Sequence, residues 1–472
     1  MDKQLKIALP KGRLLAETAG LLERAGWGLN GYHEAARSYR LQSEMFPNLF
    51  AKVFHEKDVP IQVAVGNYDL GICGLDWVEE LLVKYPSSAL IKVRNLGYGG
   101  GALYLVASRR LPCAEEMKAT GGITRIASEY PNLAESFALN LRLRRFSVFP
   151  LWGAADAYPP ESAELALISG SRDGTLFNDD LVPVSKVLDF NTYLIANQNS
   201  WERKDLSQVL ASLEGNLARP NRPAASITGV AGTEAIASQY PIGEVAEGTL
   251  RLALPDGHQQ LPIAQLLTKA GIRVDDYPSA SGNRRPTTGL GGVVIKVIRP
   301  QDMPLQVANG SFDLAITGRD WLTEHLYQFP SSPVTELLDL KLGRVRLVAV
   351  VTKELPVDDI YAFRRLEQST SIRVASEYVN IADKYARDNR LGMYRVIPTW
   401  GASEAFLPED ADLLIENTQT GRTIAQHNLK IIDTLFESTA CLIGNKDSIA
   451  SPAKTARIKS ITETLRVAVE MA

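Results

Sequence analysis

Leu5-Lys6-Ile7-Ala8-Leu9-Pro10 returns later in the chain as Leu250-Arg251-Leu252-Ala253-Leu254-Pro255. The recurrence continues outward from that pair. Asp58-Val59-Pro60 through Asp69-Leu70-Gly71-Ile72 returns as Asp302-Met303-Pro304 through Asp313-Leu314-Ala315-Ile316. Gly74-Leu75-Asp76-Trp77 matches Gly318-Arg319-Asp320-Trp321, and Ala127-Ser128-Glu129-Tyr130 matches Ala375-Ser376-Glu377-Tyr378. Trp152-Gly153-Ala154 matches Trp400-Gly401-Ala402. The offset stays near ~245 residues, far beyond the roughly 20–50 of solenoid repeats, so the chain is a duplicated domain. Copy 1 is expected over 1–217, a connection over 218–248 and copy 2 over 249–472. The connection carries Pro220 and Pro223 and has no apolar period.

Within each copy, strands alternate with helices. The opening strand gives way to Leu14-Leu15, Leu21-Leu22 and Ala25, an apolar stripe at helical spacing. Pro60 and Gly66 bracket a short helix, with the strand Leu70-Gly71-Ile72-Cys73 beyond it. Such alternation predicts an α/β fold with largely parallel sheets. More than 200 residues per copy allow two lobes with a ligand cleft between them.

Composition narrows the function. Apolar residues make up 45% and charged residues 22% of 472, with a net charge of −3. That balance excludes a broad nucleic-acid surface, so a polyphosphate ligand must be met by a few local cations. Cys73, Cys113 and Cys441 share no metal-ligand spacing and read as reduced thiols of a cytoplasmic protein. Met1 leads almost directly into the first strand, leaving no room for a signal peptide, and no apolar run reaches the length of a membrane span. The five histidines are scattered, and no nucleophile–base–acid triad is visible.

The sharpest chemical signal lies in the second copy. The short strand Leu413-Leu414-Ile415 runs into Glu416-Asn417-Thr418-Gln419-Thr420-Gly421-Arg422-Thr423 and then a helix start. Backbone N–H groups converging there, with Thr hydroxyls, suit a phosphate monoester, and Glu416 suits ribose hydroxyls. An ordinary strand–helix turn is the other reading. Arg299 follows the apolar strand Val293–Val297, where α/β sheets aim side chains into the ligand crevice; a surface ion pair is its alternative. Arg284-Arg285 follow Ser279-Ala280-Ser281-Gly282 as a basic loop, either closing over a polyphosphate or solvated. In the first copy, Lys11-Gly12-Arg13 between strand and helix suits pyrophosphate or triphosphate oxygens. Gly97-Tyr98-Gly99-Gly100-Gly101 leads into a strand rather than a helix, and so reads as a hinge.

These segments, in this order, resemble ATP phosphoribosyltransferases. The resemblance rests on Ile7–Arg13, Arg299–Pro304, Asp69–Asp76, Glu129–Leu133, Glu416–Thr423 and Phe436–Ala440, and each copy looks like the short catalytic form. It implies a two-lobed fold like type II periplasmic binding proteins, with ATP and phosphoribosyl pyrophosphate (PRPP) as substrates and Mg²⁺ as cofactor. Phosphoribosyl-ATP and pyrophosphate are the implied products, the first step of histidine biosynthesis. Dimeric or higher self-association is expected, and a separate regulatory subunit is one route to feedback control. The chain after Thr439 is too short for an added regulatory domain.

The copies depart from the pattern in different places. Copy 1 reads Ile168-Ser169-Gly170-Ser171-Arg172-Asp173-Gly174-Thr175 at its phosphate loop, and His55 stands where copy 2 has Arg299. Copy 2 reads Asp256-Gly257-His258 where copy 1 has Lys11-Gly12-Arg13. An Asp facing a phosphate repels it, so PRPP is not expected at the first loop. Two arrangements follow: a shared site, in which Lys11 and Arg13 join Arg299, Arg284 and Glu416–Thr423, or a second copy active alone. The alternative function is a non-catalytic regulatory paralogue, and a related transferase with another nucleobase acceptor is a third.

Overall fold

The computed structural model describes residues 4–34, 39–109, 123–143, 145–176, 180–217, 248–280, 282–366 and 371–471. The expected connection at 218–248, apart from Gly248, lies outside the described residues, as does Cys113. Two compact units are present. The first holds the described residues of 4–150 and 164–217 together with Thr399–Phe406; the second holds Leu151–Ala163 and the rest of 248–471. Two short segments, each just after a strand and each opening near a Trp-Gly-Ala motif, thus belong to the unit of the other repeat.

Each unit has the expected two-lobed α/β organisation. In the first, one sheet has the order Arg40–Gln42, Leu49–His55, Leu5–Lys11, Leu70–Gly74, Thr192–Asn197 and Leu90–Asn95. Its other sheet runs Leu181–Phe190, Gly101–Ser108, Leu165–Gly170, Thr124–Ser128 and Phe146–Pro150. The second unit repeats this with Val293–Ile298, Leu250–Pro255, Leu314–Gly318, Ala440–Asn445 and Val334–Asp339 in one lobe. Its other lobe holds Tyr394–Pro398, Ile372–Ser376, Leu413–Thr418, Val345–Thr352 and Leu429–Ser438. Leu5–Lys11 pairs in parallel with Leu49–His55, and Leu250–Pro255 with Val293–Ile298, as strand–helix alternation requires.

The chain leaves the first lobe once and returns once, and the returning strand is antiparallel. Thr192–Asn197 and Ala440–Asn445 are buried along their whole length between parallel neighbours. Covered on both faces, they are apolar runs without alternation. The Gly97–Gly101 hinge lies on the first crossing, where Gly97 and Gly99 take positive φ of 82° and 61°. Lys341 and Gly343, at 56° and 61°, mark the equivalent crossing of the second unit.

Each pair of lobes is pinned by a carboxylate. Glu80, on the helix Leu75–Lys84, accepts from the backbone N–H groups of Asn132 and Leu133, both at 2.9 Å, at the start of Pro131–Asn140. Glu324 repeats the contact with Asn380 and Ile381, both at 2.8 Å. A carboxylate at a helix N-terminus favours its charged form, yet burial outweighs this and pushes Glu80 up to about 7. Between pH 4.5 and 7 the folded state therefore keeps a proton that the unfolded chain has lost, and stability falls as pH rises through that window. The thermal midpoint of wild type relative to Glu80→Gln is expected to decline over the same window. Parallel curves from pH 4.5 to 7.5 would remove the assignment.

Candidate active site in the second unit

A cleft of about 190 Å³ opens where the second unit's lobes meet, walled by Asp256, Arg299, Asp320, Trp321, Glu377 and Asn417 among others. Strand ends set the first of these. Asp256 follows Leu250–Pro255, and its N–H donates to the Ile298 carbonyl at 3.2 Å, which aligns the two parallel strand termini. Tyr277 donates to the Pro255 carbonyl at 2.7 Å, as Tyr32 does to Pro10 in the first unit.

Asp256 is only 7% exposed and accepts from two of the candidate cations. Arg284 Nη1 lies 2.8 Å from Oδ2 and Arg299 Nη1 lies 3.4 Å from Oδ1. The Arg284 carbonyl is held by Val297 N–H at 2.9 Å, so Arg284 is not on a solvated loop. Arg285 turns the other way, to the carbonyls of Ala157 and Pro159 and, at 3.3 Å, to Glu161. The basic loop thus ties Arg284 to the cleft through Asp256 and commits Arg285 to packing.

The facing wall is a chain of hydrogen bonds through Asp320. Asp320 is 4% exposed, at the start of Arg319–Gln328. It accepts from Tyr378 Oη at 2.7 Å and from Ser438 Oγ at 3.0 Å, while Asn417 Nδ2 donates to Tyr378 Oη at 2.7 Å. Tyr378 stacks on Trp321 at 4.2 Å with 27° between planes. Burial, then the Asp320 charge, pushes the Tyr378 phenol well up, so it stays a proton donor. Sequence reasoning assigned Asp320, Tyr378 and Ser438 no role. The signal that marks them is the repeat: Tyr130 donates to Asp76 at 2.8 Å and stacks on Trp77 at 4.2 Å in the first unit.

The phosphate-loop candidate differs from its reading in one respect. Its strand runs to Thr418, so Glu416, Asn417 and Thr418 are strand residues paired with Val348, Leu347 and Arg346. Gly421, with φ 75°, then opens the helical turn Arg422–Gln426. Thr418 Oγ1 accepts from Gly421 N–H at 2.9 Å and Thr420 Oγ1 from Arg422 N–H at 3.4 Å. Gln419, Thr420, Arg422 and Thr423 are exposed. From Glu416–Thr423, Asn417 lines the cleft.

Lys11, Gly12 and Arg13 belong to the first unit. Lys11 is exposed, with Nζ 3.1 Å from Tyr39 Oη, and Gly12 takes φ 92°. Arg13 reaches inward to Glu56 at 2.8 Å and Asp76 at 2.6 Å. Burial works to lower the Arg13 pKa, but Asp76 and Glu56 raise it further. In the first unit this guanidinium is thus engaged by the unit's own carboxylates. His55 is half-buried, and desolvation with the Lys57 and Lys11 charges pushes it down to about 4, hence neutral at pH 7, where the second unit has Arg299. The loop Ser171–Thr175 closes on itself: Ser171 N–H donates to the Thr175 carbonyl at 3.0 Å and Thr175 N–H to Asp173 at 3.0 Å. Among the described residues, no three His, Cys, Asp or Glu side chains group as a metal site. No helix among them is long and apolar enough to cross a membrane.

Comparison with known proteins agrees with the motifs. ATP phosphoribosyltransferase of Chlorobaculum parvum is 31% identical over 229 residues, 48% of this chain and 73% of that protein. That of Saccharolobus solfataricus is 34% identical over 214 residues, 42% of this chain and 66% of that protein. Among solved structures, an ATP phosphoribosyl transferase (HisG:HisZ) complex from Thermotoga maritima matches 47% of this chain and 100% of that one, with TM-score 0.39 and 23% identity. A family model described as HisG: ATP phosphoribosyltransferase matches residues 55–215 and 299–467, opening at the equivalent His55 and Arg299. With both repeats and well over half of its length matched, the chain belongs to the HisG family of ATP phosphoribosyltransferases.

Proposed function

We propose that the second unit's cleft transfers the phosphoribosyl group of PRPP to ATP, giving phosphoribosyl-ATP and pyrophosphate. The observation that carries this is the convergence of Arg284 and Arg299 on Asp256 in a cleft also walled by Asn417, from the phosphate-loop strand. In the reaction, adenine N1 forms a bond to the anomeric carbon as the bond to pyrophosphate breaks, and the electron pair leaves with pyrophosphate. No covalent nucleophile is needed; positioning and cations at the leaving group suffice. Arg299 and Arg284 take that electrostatic role. The Glu416–Thr423 segment holds the ribose 5-phosphate: exposed Thr420 accepts from the Arg422 amide and keeps its hydroxyl hydrogen to donate outward, while buried Thr418 accepts from Gly421 and fixes the turn. Magnesium enters as a complex of the substrate phosphates, since Mg²⁺ is commonly held by one or two carboxylates plus phosphates.

The first unit is proposed as a non-catalytic partner, because Arg13 is paired with Glu56 and Asp76, His55 replaces the arginine, and Ser171–Thr175 has turned its donors inward. Lys11→Ala tests whether the first unit contributes a cation to turnover: unchanged product formation assigns the chemistry to the second unit alone. Self-association, a regulatory subunit and a cytoplasmic location belong to the same proposal. Incubating the intact chain with ATP, PRPP and Mg²⁺ tests it, phosphoribosyl-ATP and pyrophosphate appearing in equal amounts. PRPP binding without product would favour a regulatory paralogue.

Asp256 gives this proposal a second handle. A carboxylate between two arginines competes with the leaving group for them. Asp256→Asn is expected to tighten Mg²⁺–pyrophosphate binding by about tenfold, the direction set by removing one like charge near the ligand. Weaker binding by calorimetry would mean that Asp256 organises the arginines rather than competing for them.

A further inference from the structure

The motif Trp152-Gly153-Ala154, with its twin Trp400-Gly401-Ala402, has no part in the proposed reaction, yet each twin opens a segment that belongs to the other repeat's unit. Within the second unit, Leu151–Ala163 is fastened at both ends. At one end Trp152 N–H donates to the Asp302 carboxylate at 3.1 and 3.2 Å, and the indole lies 5.7 Å from Trp321. At the other, Lys296 is 3% exposed and donates to the Ala157 carbonyl at 2.9 Å, to Tyr158 at 3.3 Å and to Glu161. Burial of the ammonium lowers its affinity for a proton, and Glu161 opposes that, so the pair depends on the segment's staying in place.

Between these fastenings lies Gly153, directly against Arg299. A Cβ at Gly153 would sit 2.9 Å from Arg299 Nε and 3.6 Å from Cγ and Nη2. Arg299 Nε is buried and has no hydrogen-bond partner among the described residues. Backbone packing, rather than a hydrogen bond at Nε, therefore sets where the guanidinium points. In the first unit the reciprocal segment brings Phe406 to 5.4 Å from Phe54, next to the neutral His55, which has no guanidinium to position.

We infer that Leu151–Ala163, encoded in the first repeat, is the positioning element for Arg299 of the second, with Gly153 as the contact and Trp152 and Glu161 as its anchors. The inference rests on the assignment of Arg299 to the leaving pyrophosphate. It gives the first repeat a function although its own phosphate loop has closed.

The test is Gly153→Ala in the full chain, alone and combined with Arg299→Ala, reading Mg²⁺–pyrophosphate affinity by calorimetry and kcat and KM by product formation. Gly153→Ala should weaken pyrophosphate binding about tenfold and lower kcat, with KM for ATP unchanged. In the Arg299→Ala background the same substitution should have no further effect. Unaltered binding in Gly153→Ala, or the same loss in both backgrounds, overturns the inference. Should Arg299→Ala alone leave binding and turnover unchanged, the functional assignment fails instead. The positioning claim is then decided by the Arg299 Nε–H resonance, which moves in Gly153→Ala if it is right and stays if it is wrong. Glu161→Gln, which keeps the side-chain size, is the second variant: a smaller loss confined to the Arg299 background supports the anchor, and an equal loss without Arg299 overturns it.

Discussion

Arg299→Ala is expected to lower the turnover of phosphoribosyl-ATP formation by about 10²–10³-fold, the usual consequence of removing one preorganised donor at developing charge. Arg299 follows Val293–Ile298, its terminal nitrogens lie at the cleft, and its side chain is 43% exposed, so the guanidinium is reachable by a ligand. Arg284 shares Asp256 with it and would retain part of the stabilisation, which keeps the expected loss finite. The first-unit counterpart His55→Ala should leave turnover within about twofold, because a neutral imidazole supplies no charge to a leaving group. Equal losses in the two variants would sink the assignment of chemistry to the second unit.

Asp320→Ala should destabilise the second unit by about 3 kcal/mol, from two hydrogen bonds to a charged acceptor at roughly 1.5–3 kcal/mol each. Both donors, Tyr378 and Ser438, come from the strands and loops of the other lobe, so the loss falls on the seam between lobes. Asn417 keeps a partner in Tyr378 but loses the anchor that fixes it, so substrate affinity should fall as well. Asp320→Asn retains an acceptor oxygen and should lose less than half as much. Urea titration followed by tryptophan fluorescence reads the effect, since Trp321 stacks on Tyr378. An unchanged midpoint in Asp320→Ala would show that the bonds to Asp320 are replaced by solvent without loss.

The repeat carried the fold. Once Leu5–Pro10 and Leu250–Pro255 are seen as one strand twice, two α/β units of like topology follow from alternation alone. The site was legible in part. Arg299 and Asn417 line the cleft from at and near strand ends, and Arg284 is tied to it through its ion pair with Asp256. The role of Asp256 was not legible: it reads as repulsive beside a phosphate, but its partners stand 28 and 43 residues away. The strand runs on to Thr418 although Glu416 and Asn417 are poor strand residues on local preference, because the three residues are paired with Arg346–Val348 of the neighbouring strand. Lys296 looked like one polar residue in an apolar strand, and only its pairing with Glu161 explains its burial. The exchange of Leu151–Ala163 leaves no mark in periodicity or composition, since it is decided by packing far along the chain.

On this proposal the chain has one working site, in the second unit, the first unit's Arg13 being held by Glu56 and Asp76. The single site is tested most directly by the number of PRPP molecules bound per chain at saturation, measured by equilibrium dialysis in the presence of Mg²⁺. One is expected, and none in the same concentration range for Arg299→Ala. Two per chain, or one that persists undiminished without Arg299, would contradict it.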